Sequence, residues 1–510
     1  MRNIQKILLV YPEVPQNTYW SYKHTLPFIG KKSAMPPLGL VTVASYLPPD
    51  VDVRLVDMNM DKLRDRDIKW ADAVFVSAMI VQQDSFNEVV RRCNKAGATV
   101  VAGGPYPTGS HEQIEGVDHF VLGEVEEVFA EFFADLDAGI AGKHYRPSSR
   151  PDIDALPVPR FDLLKLKAYA SMSIQYSRGC PFHCEFCDIW KVYGNRPRLK
   201  STESMLAELD ELYRLGWRGA IFMVDDNFIG NKGRVKKQLL PAIIEWQKER
   251  NYPFNFFTEA SINLAADDDL LDLMSEASFN EVFIGIETPS AEALAETGKI
   301  QNMNMDMAEA IRKIQNHGIE VMAGFILGFD SDTPDIPERQ IEFIQRTGIA
   351  RAMVGLLTAL PGTDLRARLE REGRMLSESS GNNTDCMAAN FRTVMDPEAL
   401  RQGYCKVLGS IYDKNLKNYF ERCNRVLDNA DKKRTYAQRE IHLGELAVLV
   451  RSLVRQPFTP YGKEYIKFIT RNLVKNKEYF TEAIKFSVVG HHLYTVTRDM
   501  LRSQQIEQPN

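Results

Sequence analysis

Cysteine is scarce in this 510-residue chain, with 7 residues, an odd number. That excludes a disulfide-stapled secreted scaffold and makes a reducing cytoplasm the default compartment. Long hydrophobic runs are missing too. No stretch approaches ~18 uninterrupted apolar residues, which excludes a membrane-spanning helix. A basic excess is also absent. With 63 Lys+Arg against 68 Asp+Glu the net charge is -5, which argues against a dedicated nucleic-acid binder. There is no internal repeat, no low-complexity segment and no dinucleotide-binding glycine fingerprint. What remains is 44% hydrophobic and 26% charged, the composition of a soluble protein of about three domains.

The first 140 residues alternate short apolar runs with helical spacing. Lys6–Tyr11, Val53–Val56, Ala73–Ser77, Thr99–Ala102 and His119–Leu122 read as strands. Ile7 to Val10 is too short for a signal segment and reads as the first buried strand. Gly39–Leu47, Phe86–Ala96 and Glu126–Leu136 read as helices. The alternation predicts an α/β, doubly wound (Rossmann-like) parallel sheet over 1–145, with its ligand beyond the carboxyl ends of the strands. His144–Pro159, rich in Pro, Ser and Arg, reads as a linker over 146–160. A second series follows over 161–374. Its strands are Ser173–Tyr176, Ala220–Val224, Asn255–Ala260, Val282–Ile286, Glu320–Leu327 and Ala352–Thr358. Its helices are Thr202–Leu215, Val235–Glu249, Leu270–Glu276, Met305–His317 and Ile336–Gln345. Six βα units suggest a partial (β/α)6 barrel. Beyond Arg374 the strands stop. Asp396-Pro397 is a helix start, and 375–510 reads as a helical domain.

Three cysteines fall within eight residues, Cys180, Cys184 and Cys187, in the spacing C-x3-C-x2-C after the strand SIQYS. Three thiolates on one tight loop can hold three irons of a [4Fe–4S] cluster and leave the fourth iron open. The rival is a zinc site. It would need a fourth ligand, and Cys93, Cys386, Cys405 and Cys423 are scattered, which leaves only a strained His183.

This spacing, with Phe186 just before the third cysteine, resembles the radical S-adenosylmethionine (SAM) superfamily. The resemblance implies a [4Fe–4S] cluster on Cys180, Cys184 and Cys187. It also implies SAM chelated to the open iron, and a 5′-deoxyadenosyl radical that removes hydrogen from an inert C–H bond. Phe186 then lies near the adenine, and Asp225, Asp226, Glu259 and Glu287 are candidate contacts at strand ends, facing the barrel mouth. Gly324 and Gly328 resemble the fifth-strand element that lies on adenine. Tyr176, with Arg178, Tyr193 and Asp226, becomes a candidate to orient substrate.

The first domain resembles the cobalamin-binding domain of cobalamin-dependent radical SAM enzymes. The resemblance rests on Met35-Pro36-Pro37-Leu38-Gly39-Leu40, Gly103-Gly104-Pro105 and Gly123-Glu124. It places Pro36, Gly39, Ser77, Gly103, Gly104, Gly123 and Glu124 near cobalamin. The Asp-x-His-x-x-Gly signature is absent, and His119 reads as a strand residue. Methylthiotransferases need three more cluster cysteines in this domain, where only Cys93 stands. Across the chain the pattern is similar to the hopanoid C-2 methylase group. That implies methyl transfer from methylcobalamin to an unactivated carbon, with a lipid or other apolar small molecule as substrate and a flavodoxin or ferredoxin as electron donor. A cobalamin enzyme that forms or rearranges rings, an enzyme with an empty first domain, and a zinc-stabilised binding protein stay open. From Asp431 to Asn510 there are 14 Lys+Arg against 8 Asp+Glu, leaving -11 for the rest. Such a tail suits solvated helix faces or a peripheral contact with the inner membrane face.

Overall fold

A computed structural model describes residues 3–382, 384, 388–429 and 443–506, with side chains omitted at 443–445 and 503–506. Cys386 lies outside the described residues.

The first sheet is parallel throughout, in the order β2-β1-β3-β4-β5-β6. Its strands are β1 (Lys6–Tyr11), β2 (Asp52–Asp57), β3 (Ala73–Ser77), β4 (Thr99–Gly103), β5 (His119–Val121) and β6 (His144–Tyr145). Helices cover both faces, so the central strands are apolar on both. Ile7, Leu8, Leu9 and Val10 are all buried, split between two cores. The expected strands and helices are present. Two short helices, Asp65–Trp70 and Pro105–Ser110, carry too little periodicity to be foreseen. The expected linker needs correcting at its start. His144 and Tyr145 pair with Phe120 and Val121 as a sixth strand. Their side chains give no alternating signal over two residues, so only the sheet edge reveals them.

The second sheet has the order β14-β13-β12-β11-β10-β7, again all parallel. It comprises β7 (Ser171–Ile174), β10 (Gly219–Met223), β11 (Phe254–Glu259), β12 (Phe279–Glu287), β13 (Glu320–Leu327) and β14 (Ala352–Leu356). Between the first two lie β8 (Ser177–Arg178) and β9 (Arg198–Leu199), a small antiparallel pair. All six expected strands are present, and β7 and β14 stay unpaired with each other, which leaves the barrel partial. Alternation sorts the faces. Phe254, Phe256 and Thr258 are buried outward under helices, while Asn255, Phe257 and Glu259 face the lumen.

Residues 19–34 leave the first domain and run to the barrel edge. The Lys32 amide donates to Ala168 O at 2.8 Å. The hydroxyls of Tyr19 and Thr497 lie 3.1 Å apart, joining this segment to the last helix. The C-terminal region is helical as expected: Pro397–Ile411, Lys417–Asn429, Leu443–Arg455, Gly462–Lys475 and Phe480–Ile506. Asp396 caps the first of these, accepting from the Ala399 amide at 2.9 Å. Among the described residues no helix is long and apolar enough to cross a membrane.

Candidate active site

The cysteine loop leaves the sheet through β8 and returns through β9. Its neck is two crossing backbones. Gly179 (φ 100°) and Gly194 (φ 94°) sit in conformations that disfavour side chains, and the Cys180 amide donates to Gly194 O at 3.1 Å. A Cβ on Gly179 would stand 2.7 Å from that oxygen, so any other residue would pry the neck open. The far side of the loop is pinned as well. The Glu185 amide donates to Thr297 O at 2.9 Å, and Arg368 bonds the Glu185 carboxylate at 2.6 Å.

The loop gathers the three thiols. Burial raises the Cys180 thiol, an amide bond from Phe182 opposes this, and Cys184 and Asp226 add to it. Cys187 is pushed up to about 12 by burial, against an amide bond from Ile189. Thiols held this way need a cation to become thiolates. Lys299 is beside them: burial works against its charge, yet Glu287 at 2.6 Å holds it charged, and Cys184 and Cys187 add to this in their thiolate form. Gln301 Nε2 reaches Cys184 Sγ at 3.7 Å. Neither Lys299 nor Gln301 belongs to a motif, and only the fold brings them here.

Glu287 has φ 63° at an irregularity in the β12–β13 register, which swings its carboxylate toward Lys299. Asp225 is fully buried and accepts from the Tyr176 amide at 3.3 Å and from the Ser177 amide. It ties β7 to the exit of β10. Burial lifts Asp225 to about 7 and Asp226 to about 6; Asp226 accepts from the Gly179 amide at 3.4 Å. Glu259 is lifted to about 8 by burial, then by Asp226 and Asp225. Tyr176 is buried edge-on to Phe228 at 6.1 Å. Phe186 lies 6.2 Å from Phe329, with Lys299 over its ring at 5.9 Å. Gly324 makes room for Phe283, whose Cζ would stand 3.1 Å from an added Cβ, and Gly328 (φ 106°) abuts Leu400.

The carboxyl edge of the first sheet faces this loop. Ser77 Oγ would stand 2.5 Å from a Cβ on Gly104 (φ 88°), so the strand ends close tightly there. A cavity of about 50 Å³ lies behind Gly103 and Ser77, lined also by Leu40, Val43 and Phe129. Gly39 faces open space, and Pro36 is buried one turn before it. The Gly123 amide donates to Thr108 Oγ1 at 2.9 Å. His119 sits at the opposite, entry end of β5, with Nδ1 2.7 Å from Gly142 O. Glu124 crosses the junction instead, pairing with Arg178 at 2.8 Å and Arg198 at 2.7 Å; Glu126 also meets Arg178 at 2.7 Å. Burial opposes the Arg178 charge, but the two glutamates hold it up.

Three family models cover the chain in series: B12 binding domain over 31–133, radical SAM superfamily over 174–344, and a domain of unknown function (DUF4070) over 363–506. An uncharacterized methyltransferase of Synechocystis is 44% identical over 80% of this chain and 76% of its own length. The hopanoid C-2 methylase of Rhodopseudomonas palustris is 33% identical over 98% of this chain and 94% of its own. The chain belongs to the cobalamin-dependent radical SAM methyltransferases. Among solved structures, the cobalamin-dependent radical SAM enzyme OxsB, with aqua-cobalamin and SAM bound, shares the fold at TM-score 0.63 and 15% identity, over 99% of this chain and 80% of that one. The methyltransferase TsrM of Kitasatospora setae follows at 0.57 and 14%, over 98% and 100%.

Membership brings a [4Fe–4S] cluster, SAM and cobalamin. The donor set fits a cluster better than zinc. Zinc would need a fourth donor beside the three loop cysteines, and His183 is the candidate within the loop. The His183 ring is already engaged, with Nε2 3.2 Å from Asn195 and its edge on Trp190. A four-iron cube spreads its thiolates apart, and the buried cation Lys299 offsets its negative charge. The first domain fits a flat macrocycle in having small residues, Gly39, Gly103, Gly104 and Gly123, along the edge that faces the loop.

Proposed function

We propose that this enzyme methylates an unactivated carbon of a lipid or another apolar small molecule, at a chamber between the cysteine loop and the carboxyl edge of the first sheet. The observation that supports this most is the likeness to the hopanoid C-2 methylase, which runs through all three domains. Cys180, Cys184 and Cys187 are proposed as the cluster ligands. Phe186, Asp226, Glu259, Gly324 and Gly328 are proposed on the SAM side; Pro36, Gly39, Ser77, Gly103, Gly104 and Gly123 on the cobalamin side. The bound cofactors supply hydrogen abstraction and methyl delivery. The chain's own residues bind, orient and exclude water. Glu259, raised to about 8, keeps a proton at neutral pH and can donate a hydrogen bond, while Asp226, raised to about 6, is ionised there and can accept one from an amino group. Lys299 keeps positive charge beside the thiols. Glu124 and Arg178 close the junction against solvent. Asp225 and Tyr176 act as positioning residues: one carboxylate fixes the backbone that starts the cysteine loop.

A peripheral membrane contact fits the helical domain. Leu446, Val450, Leu453 and Val454 are exposed on Leu443–Arg455, and Phe458 follows at 87% exposure. An electron donor of the flavodoxin or ferredoxin type would complete the cycle. The test is anaerobic incubation with SAM carrying a labelled methyl group, hydroxocobalamin, a reductant and a lipid extract containing hopanoids. Label in one apolar product, lost in Cys187→Ala, is expected. SAM cleavage with no labelled lipid from any extract would remove the proposed substrate class.

A further inference from the structure

The barrel has a second chamber at its closed end. A cavity of about 430 Å³ is lined by the entry ends of four strands, at Ala220, Asn255, Glu281 and Glu320, and is covered by helices of the C-terminal domain. The candidate active site lies at the opposite ends of the same strands. On β11 alone, Asn255 lines the cavity, Phe257 lies between, and Glu259 faces the mouth. Those four residues of strand place the two chambers roughly 13 Å apart. An aromatic layer separates them. Phe222 stacks on Phe257 at 4.6 Å, and Trp20 lies on Phe283 at 5.3 Å. A substrate in the radical chamber therefore does not occupy this one.

The walls say what it would hold. The rest of the lining is largely aliphatic, including Ile29, Leu427, Leu449, Ile484 and Val489. Among the described residues its one lining cation, Lys485, is engaged by Glu281 and Glu320, which Arg351 also pairs from behind the wall, and Glu482 adds a further carboxylate. An anionic guest would meet carboxylates and an already engaged lysine, and would lose hydration. Two polar atoms of lining residues are nevertheless buried without a partner among the described residues, Gln315 Nε2 and Thr25 Oγ1, on residues 6% and 8% exposed. At an apolar cavity of ligand size, a hydrogen-bonding guest could satisfy either atom after a small turn of its side chain. Leu446 both lines the cavity and is 52% exposed, so the chamber opens beside the apolar ridge of Leu443–Arg455.

We propose that this cavity is a second ligand site, which takes the hydrocarbon chain of an amphiphile with an uncharged, hydrogen-bonding end. The guest is bound there without being methylated. The site does not depend on the substrate proposed above, and its test needs no turnover. The cofactor-loaded full chain is irradiated with a diazirine-bearing hexadecanol, supplied free or in phosphatidylcholine vesicles, and the labelled peptides are mapped. Saturable labelling within 446–449 and 479–489 is expected from at least one presentation. Leu449→Trp and, on the facing wall, Val489→Phe should each reduce it by roughly tenfold or more at unchanged iron and cobalt content. Unlabelled hexadecanol should compete roughly tenfold better than hexadecanoate. Labelling confined to the exposed ridge or the barrel mouth, or absent from both presentations, would overturn the site. Equal competition by hexadecanoate would overturn the uncharged end. Should both variants misfold, competition on the unsubstituted chain still decides.

Discussion

Glu259 shows how one residue's chemistry depends on its place on a strand. In sequence it is an ordinary glutamate at the end of TEASI. In the fold its carboxyl is pushed up to about 8 by burial and two neighbouring aspartates. A carboxyl raised in the folded state binds a proton that the unfolded chain has already released. Its contribution to stability is therefore complete below about 4.5 and lost as pH rises through about 8. The SAM-free enzyme should melt at falling temperature between these limits, and Glu259→Gln should flatten the slope in calorimetry. An unchanged slope would mean that the carboxyl is solvated. Gly324 makes a second case. Its Gly-x-Ile-x-Gly setting is legible as a motif, but its lack of a side chain serves Phe283. Gly324→Ala should cost about 1–3 kcal/mol through displacement of that ring. Denaturant unfolding reads this directly, and iron content should hold.

At the scale of elements, β8, β9 and the turn after β5 meet in one ion network. Arg178 faces two carboxylates, Glu124 and Glu126, all at most 12% exposed in their side chains. Removing the cation strands Glu126 and leaves Glu124 to Arg198 alone. Arg178→Ala should destabilise by about 3–5 kcal/mol, as expected for a broken buried pair. It should also expose the 146–160 segment to limited proteolysis. Glu124→Gln keeps a hydrogen-bond acceptor and should cost less. Equal protease resistance in both variants would show that the domains are held by apolar contacts alone. The adjacent strand β6 is invisible to pattern reading, because two residues have no period; the free edge of β5 recruits them.

The whole molecule joins separate cores. The first domain has its own two apolar clusters, while the barrel and the helical region share a large one, which Val41 of the first domain also joins, and a smaller one around Phe329 and Leu369. Losses should therefore be separable. After anaerobic purification with hydroxocobalamin, the enzyme should carry about four irons, the content of one cluster, and one cobalt per chain. Cys187→Ala should lose iron and keep cobalt. Loss of both metals together would mean that the domains fold as one unit. The shared core also explains why the helical region follows the barrel so closely. Phe480–Ile506 packs on residues 19–25 and on strand entries, closing the end opposite the chemistry.

Local pattern carried a large part of this protein. Hydrophobic periods placed every strand of the second sheet and all but β6 of the first, because each strand must bury one face or both. Cysteine spacing marked the loop, because three thiols within eight residues have few other uses. The Asp396-Pro397 cap located where the last domain's helices begin. Tertiary structure decided what no period encodes. It put Lys299 beside thiols more than 100 positions away, turned Glu124 to an arginine of the next domain, and packed Tyr176 into the core. It also set a layer of aromatic rings across the barrel lumen, above the cavity at the strand entries. Those outcomes depend on distances between residues remote in the chain, which only the register of neighbouring strands sets.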